Sequence, residues 1–140
     1  MTDVLSALAG VAAAVIAVVA AYIAHQQAQV AVRAQDVSVL LPLYQTHESS
    51  EFDAVRQRIR QAAPGEQIEP EPQEEQRFRD YINYLTFVCK MADEKLVTER
   101  YAAAIFDGAI EKCLDHCRAY IDRLQAGNGQ FAAGLRRLSA

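Results

Sequence analysis

The chain has 140 residues, a mass of 15.5 kDa and 51% hydrophobic residues, which allows one ordinary domain. A formal net charge of -4 and a pI near 5.3 exclude a basic nucleic-acid-binding protein. Six glycines and four prolines are too few for a disordered or collagen-like chain. The hydrophobic residues are concentrated near the N-terminus, so the average composition hides a membrane-like segment followed by a polar remainder.

The first predicted element is a transmembrane helix over residues 4–24, a segment without a charged residue. At 1.5 Å per helical residue it is about 31 Å long, which matches a bilayer hydrocarbon core of about 30 Å. A cleaved signal peptide and a buried soluble helix are the alternatives. The first three residues contain no Lys or Arg, and apolar residues continue well beyond the small residues at 12–14. We therefore predict an uncleaved anchor.

The distribution of basic residues predicts the orientation of this anchor. All 14 Lys and Arg residues follow it, beginning with Arg33. Because positive charge marks the cytoplasmic side of a membrane helix, we expect the N-terminus outside and residues 25–140 in the cytoplasm. The predicted location is a bacterial inner membrane.

Small residues recur at four-residue spacing within the anchor. They suggest two faces that another helix could approach closely, formed by Ser6, Gly10 and Ala14 and by Ala13, Ala17 and Ala21. The alternative is that alanine is merely a common helix former. Under the first interpretation these residues pack against a partner helix.

Residues 25–62 are predicted to form a stalk and the first cytoplasmic helices. No Gly or Pro interrupts the helix before Pro42, and apolar residues follow a helical spacing at Ala28, Ala31, Val32, Val39 and Leu43. A new helix is predicted after Ser49, with acidic residues in its first turn. Its apolar residues mark the buried side, and its arginines, Arg56, Arg58 and Arg60, are expected to point mostly outward.

Residues 63–76 form an acidic loop that contains three of the four prolines, at Pro64, Pro70 and Pro72, together with Gly65 and five glutamates. This composition is typical of an exposed linker. We expect a solvated spacer, and a docking peptide is the alternative.

Residues 77–126 are predicted to form a helical hairpin, and residues 127–140 a flexible tail. Apolar residues at steps of three and four define the first helix of the hairpin. Its large side chains form either the core or a face for a partner: Phe78, Tyr81, Tyr84, Leu85, Phe87 and Met91. No alternating strand pattern occurs. We predict an all-α fold with one N-terminal transmembrane helix that continues as a stalk, followed by a small antiparallel helical bundle.

The three cysteines allow two interpretations. Cys113, His116 and Cys117 have a helical spacing, and Cys89 on the preceding helix could complete a zinc site. However, Cys113 and Cys117 share the apolar stripe of their helix, where cysteine behaves as a small hydrophobic residue. We predict structural cysteines, no metal site and no cofactor. No nucleophile motif or phosphate-binding glycine loop is present in the sequence, so we do not expect an enzyme.

Four features together suggest a family resemblance. They are the N-terminal anchor, Arg33 soon after it, the Ser-Ser-Glu-Phe helix start with arginines at 49–60, and the Tyr-Ile-Asn-Tyr-Leu-Thr-Phe segment at 81–87. Over residues 1–125 the chain resembles an uncharacterised bacterial family of small single-pass membrane proteins with a domain of unknown function. The resemblance implies a helical fold and a membrane location, and no activity.

Three classes of function compete, and the features favour a non-catalytic accessory or assembly subunit of a larger bacterial inner-membrane protein complex. Its expected partners are membrane lipid and another membrane protein, and no nucleic acid. The alternative is a stand-alone membrane regulator or an immunity- or exclusion-type protein that acts as a monomer or homo-oligomer. An enzyme is the third class.

Overall fold

The computed structural model describes residues 2–139, which form four α-helices. They are α1 (Thr2–His47), α2 (Ser50–Gln61), α3 (Glu75–Asp93) and α4 (Glu99–Gly127). Within these residues no strand occurs. The predicted all-α fold is confirmed, with a long apolar N-terminal helix followed by a small helical bundle. The chain divides into two compact units, one up to Val37 and one that starts at Ser38.

The first unit is helical throughout, from Thr2 to Val37. Alanines and unbranched polar residues favour the helix here, and Gly10 is its only glycine. Every residue from Asp3 to Gln35 is exposed, including Ala28, Ala31 and Val32 of the predicted stalk stripe. Helix α1 is the one described helix that is long and apolar enough to cross a membrane.

Helix α1 continues past Pro42 and ends at His47, beyond the first residue at which the sequence suggested an interruption. Proline lacks an N–H group and removes one helical hydrogen bond. Tertiary contacts of the second unit stabilise these last turns. Leu40 is buried, Leu43 packs against the core, and the Tyr84 hydroxyl donates a hydrogen bond to the Leu43 carbonyl.

Helices α3 and α4 pack antiparallel and supply most of the core of the second unit. Phe78 near the start of α3 contacts Tyr120 near the end of α4, with 6.4 Å between ring centroids. Further along α3, Tyr84 contacts Phe106, which lies in the first third of α4, at 6.3 Å. The order of these contacts is reversed between the two helices, as the short connection at 94–98 requires.

The turn between α3 and α4 stores backbone strain at Lys95, which has a φ of 56°. The Leu96 N–H bonds to the Met91 carbonyl at 2.9 Å, and the Lys95 N–H bonds to the Ala92 carbonyl at 3.0 Å. This pair of bonds is the Schellman motif, which places a left-handed residue just after the helix. Glycine adopts that conformation without the steric cost that a side chain incurs.

We expect Lys95→Gly to raise the free energy of unfolding by about 0.5–1 kcal/mol, because the relief of left-handed strain exceeds the added chain entropy. Thermal unfolding of the full-length protein in a nonionic detergent measures the change. The control is Lys90→Gly in the last turn of α3, which has ordinary helical geometry. It should lower stability by about 1 kcal/mol. Destabilisation by both variants would contradict the strain at Lys95.

The acidic segment between α2 and α3 is not a solvated spacer, which corrects the expectation for residues 63–76. Ile68 and Pro70 are buried, and Glu69 forms an ion pair with Arg123 of α4. The Ile68 N–H donates to the His116 carbonyl at 2.7 Å. Ile68, an apolar residue within a glutamate-rich segment, therefore attaches the segment to α4, a contact that charge composition alone does not reveal.

The side-chain amide of Gln67 forms hydrogen bonds with two backbone groups of α4. Its Nε2 donates to the Asp115 carbonyl at 2.6 Å, and its Oε1 accepts from the Ala119 N–H at 3.0 Å. In a regular α-helix these two backbone groups are each other's partners. A glutamine amide carries one donor and one acceptor side and can replace both. The loop therefore continues the hydrogen-bond ladder of α4.

The segment at 127–140 was predicted to be a flexible tail, but its described residues, 127–139, also pack on the bundle, and Ala140 lies outside the described residues. Phe131, Ala132 and Leu138 are buried. Arg136 pairs with Asp93 at 2.6 Å, and its carbonyl accepts from the Cys89 thiol at 3.4 Å. The prediction of flexibility was wrong because it relied on the glycines at 127 and 129, whereas isolated apolar residues beyond them provide the anchoring contacts.

Candidate functional site

Every residue of the apolar segment at 4–24 is exposed. All six small residues predicted to pack against a partner helix are exposed: Ser6, Gly10, Ala13, Ala14, Ala17 and Ala21. In a continuous helix seven residues complete nearly two turns, so Ser6 lies almost directly below Ala13. The two predicted faces are therefore one broad face.

The opposite side of this helix is lined by large residues. Every Val, Leu, Ile and Tyr between residues 4 and 24 falls within an arc of about 160° at 3.6 residues per turn. They are Val4, Leu5, Leu8, Val11, Val15, Ile16, Val18, Val19, Tyr22 and Ile23. The helix therefore has one side of bulky residues and one side of small residues, although both sides are apolar. A second helix can approach the small side more closely than the large side.

Most of the large residues of α3 that were predicted to form a core or a partner face belong to the core, and one of them lies at the surface. Phe78, Tyr81 and Leu85 are buried, and Tyr84 and Met91 pack partly against the same core. Phe87 is 49% exposed. Most of this aromatic helix is covered by the chain itself, and Phe87 is the member that remains available at the surface.

The four candidate metal ligands do not meet. Cys113 and Cys117 are buried and adjacent, but the Cys89 thiol bonds to the Arg136 carbonyl and His116 Nδ1 lies 2.9 Å from the Glu66 carbonyl oxygen. Across residues 2–139 no group of three or more His, Cys, Asp and Glu side chains could hold a metal ion. The hydrogen bond with the Cys117 thiol, together with burial, raises the pKa of Cys113 and keeps it a neutral thiol.

A polar cluster within the core of the second unit was missed by sequence reasoning. His47, the last residue of α1, is buried, and its Nε2 lies 3.0 Å from the Tyr81 hydroxyl oxygen. Its Nδ1 lies 3.0 Å from Glu48 Oε1. The carboxylate can only accept, so Nδ1 carries the proton and Nε2 accepts from Tyr81. Rings of Tyr81, Tyr84 and Phe106 surround the imidazole.

Arg56 of α2 belongs to the same cluster, which corrects the expectation that it points outward. Its side chain is 7% exposed; Nη1 donates to Glu48 at 3.0 Å and Nη2 to Asp53 at 3.3 Å. Arg56 lies four residues after Phe52 and three before Ile59, on the buried stripe of its helix. This position on the apolar side of the helix was the sequence signal that could have predicted burial of Arg56. Ion pairs with the two carboxylates offset the cost of burying its charge.

The order of carboxylate, imidazole and hydroxyl in Glu48, His47 and Tyr81 is also the order that activates nucleophiles in enzymes. Here burial raises the pKa of Tyr81 strongly, which favours the neutral phenol. The arrangement therefore orients these groups by hydrogen bonds and does not ionise the hydroxyl.

A cavity of about 180 Å³ opens beside this cluster. It is lined by residues from all four helices: His47, Arg56, Ile59, Arg60, Tyr81, Gly108, Ala109 and Lys112. Four of these side chains are Arg, Lys or His and none is a carboxylate. The cavity is therefore a basic site in an acidic chain.

Stability of the second unit should fall as the pH drops below about 6.5. Burial lowers the pKa of His47 from its usual 6.5, although the Glu48 hydrogen bond opposes this shift. The unfolded chain then binds a proton that the folded chain resists, so stability is full above pH 6.5 and is lost below it. Burial raises the pKa of Glu48, but His47 and Arg56 outweigh it and lower that pKa below the usual 4.5. The stabilisation by this carboxylate is therefore present above pH 4.5 and is lost only as the pH falls below it, outside the range in which His47 acts.

Thermal unfolding of the full-length protein between about pH 7.5 and about pH 5.5 measures this dependence. His47→Gln retains hydrogen-bonding groups without a titrating ring and should show a flatter profile. The same pH slope in wild type and variant would contradict the assignment to His47.

The chain matches the family described as domain of unknown function DUF4760 over residues 5–139. It therefore belongs to that family, as the resemblance indicated. No curated protein matches the chain. No solved structure matches it either.

Proposed function

We propose that this chain is a non-catalytic accessory or assembly subunit of a larger bacterial inner-membrane protein complex. Residues 4–24 anchor it, the N-terminus lies outside, and the helical bundle lies in the cytoplasm. The separation of small and large residues around the anchor carries the proposal. A helix that only holds a protein in lipid has no need of it, whereas a helix that packs against another benefits from one small face.

The absence of intramembrane charge restricts how the partner is recognised. Residues 4–24 contain no ionisable side chain except Tyr22, so close van der Waals packing must supply the affinity. Ser6 is the one small-face residue with a side-chain hydroxyl for an interhelical hydrogen bond. The expected partner is a transmembrane helix of another protein with its own small residues.

Affinity purification of the full-length protein from its native membrane in mild detergent, followed by mass spectrometry, tests the proposal. We expect one reproducible partner at a fixed stoichiometry. Ala17→Leu enlarges the small face and should remove the partner. The matched control is Ala12→Leu, which makes the same substitution on the large side of the helix and should retain it.

Two outcomes contradict the accessory-subunit proposal. Equal loss of the partner in Ala17→Leu and Ala12→Leu would exclude recognition by the small face. Recovery of the chain alone, as a monomer or homo-oligomer, would favour the stand-alone regulator or the immunity- or exclusion-type protein.

The proposed orientation has a separate test. The flank before the anchor contains Asp3 and no Lys or Arg, whereas Arg33 follows the anchor. A reporter that is active only in the cytoplasm, fused after residue 140, should be active. Activity of a reporter that requires export at the same position would reverse the orientation.

A further inference from the structure

One of the side chains that line the basic cavity of the second unit, Arg56, has a buried donor without a partner among the described residues. The two Nη groups of Arg56 are bonded to Glu48 and Asp53, but within the part of the chain that the structure describes its buried Nε finds no hydrogen-bond acceptor. The Arg56 side chain is more than nine-tenths buried and lines the cavity. A buried N–H without an acceptor costs free energy, which a bound acceptor would recover.

Two more cations line the same cavity, and neither of them is held in an ion pair with a described residue. Arg60 of α2 and Lys112 of α4 form no ion pair with any residue between 2 and 139. The two carboxylates of Glu48 and Asp53 exceed the single positive charge of Arg56, so the net positive charge of the site comes from Arg60 and Lys112 together. Positive groups from two helices around one cavity favour a negatively charged ligand.

The dimensions of the cavity restrict the ligand to a compact group. The cavity volume of about 180 Å³ is smaller than the roughly 300–1,000 Å³ of sites that bind drug-sized molecules. It is larger than the volume that one molecule occupies in liquid water, about 30 Å³. At Gly108 a Cβ would meet nothing within 4 Å, so the wall of α4 leaves open space beside Lys112. A tetrahedral oxyanion has acceptors in several directions and can bond to donors from different helices.

We propose that this cavity binds a phosphate-type oxyanion through Arg56 Nε, Arg60 and Lys112. The oxyanion is either a free phosphate or the phosphate of an anionic lipid headgroup. This binding site is separate from the partner-helix face of the anchor, and its failure would leave the accessory-subunit proposal unchanged.

The test uses the full-length protein in a nonionic detergent, with inorganic phosphate as the first probe and chloride at equal ionic strength as the reference. Phosphate should raise the melting temperature of the wild type in a saturable manner. Arg60→Gln and Lys112→Gln change exposed side chains and should each weaken the phosphate affinity at least about tenfold. Their melting temperatures without phosphate should match that of the wild type.

The matched control is Arg58→Gln, which removes an exposed arginine from the same helix but outside the cavity. It should bind phosphate like the wild type. No stabilisation of the wild type beyond that by chloride, or equal weakening in Arg58→Gln, would overturn the proposal.

A short-chain phosphatidate below its micelle concentration, used as the second probe, distinguishes the two sources of the phosphate group. Binding at least about tenfold tighter than inorganic phosphate, with the same loss in Lys112→Gln, would support a lipid headgroup. Equal affinity for both probes would support a free phosphate. Binding of phosphatidate that is unaffected by Arg60→Gln and Lys112→Gln would overturn the assignment of the cavity.

Discussion

Removal of residues 128–140 is expected to lower the free energy of unfolding of the second unit by about 3–6 kcal/mol. The segment buries Phe131 and Leu138, and burial of each such side chain contributes about 1.5–3 kcal/mol. Urea unfolding of the full-length and truncated chains in a nonionic detergent measures the difference. An unchanged urea midpoint would mean that the segment is flexible in solution.

Two further variants separate apolar burial from ion pairing in this segment. Phe131→Ala combined with Leu138→Ala should reproduce most of the loss caused by truncation. Arg137→Gln removes the 2.6 Å pair with Asp107, in which the arginine side chain is 51% exposed. Because water and salt screen exposed pairs, Arg137→Gln should cost less than about 1 kcal/mol.

Phe78→Ala is expected to lower the free energy of unfolding by about 3–5 kcal/mol, because Phe78 is 1% exposed and its ring packs against Tyr120. The matched control is Phe87→Ala on the same helix, where the ring is 49% exposed and the cost should stay within about 0.5 kcal/mol. Urea unfolding compares the two variants. Equal costs would contradict the assignment of Phe78 to the core and Phe87 to the surface.

The same pair of variants also tests whether Phe87 contributes to binding of the proposed partner. If the bundle contacts the proposed partner through Phe87, then Phe87→Ala reduces recovery of the partner in the affinity purification while stability is unchanged. Full recovery of the partner would restrict recognition to the anchor helix. Phe78→Ala serves as the control for effects that arise from loss of folding.

The helices could be predicted from local pattern because each of them has a continuous apolar stripe of helical spacing. In α3, Phe78, Tyr81, Leu85 and Cys89 lie at steps of three and four, and all are buried. An apolar stripe does not indicate which of its residues other helices will cover. Phe87 and Leu85 are equally apolar in the sequence, and only the packing of α1, α2 and α4 leaves Phe87 at the surface.

The candidate site could not be predicted in the same way, because its residues are distant in the chain and most of them are polar. His47, Arg56, Tyr81 and Lys112 come from four different helices. Each polar side chain taken alone is typical of a solvated surface. Arg56 becomes a buried residue only because Glu48 and Asp53 lie where they can accept its hydrogen bonds.

The sequence by itself determined the helical class, the uncharged apolar segment at 4–24 and the succession of amphipathic helices, because these depend on the spacing of residue types along the chain. The tertiary structure decided which apolar residues are covered, and that residues 63–76 and 127–139 pack on α4 and α3. It also decided that Gln67 completes the hydrogen bonds of a helix distant in sequence. These features depend on single side chains, such as Ile68 and Leu138, meeting backbone and apolar groups tens of residues away. No local periodicity encodes such contacts, since they form only when the helices pack together.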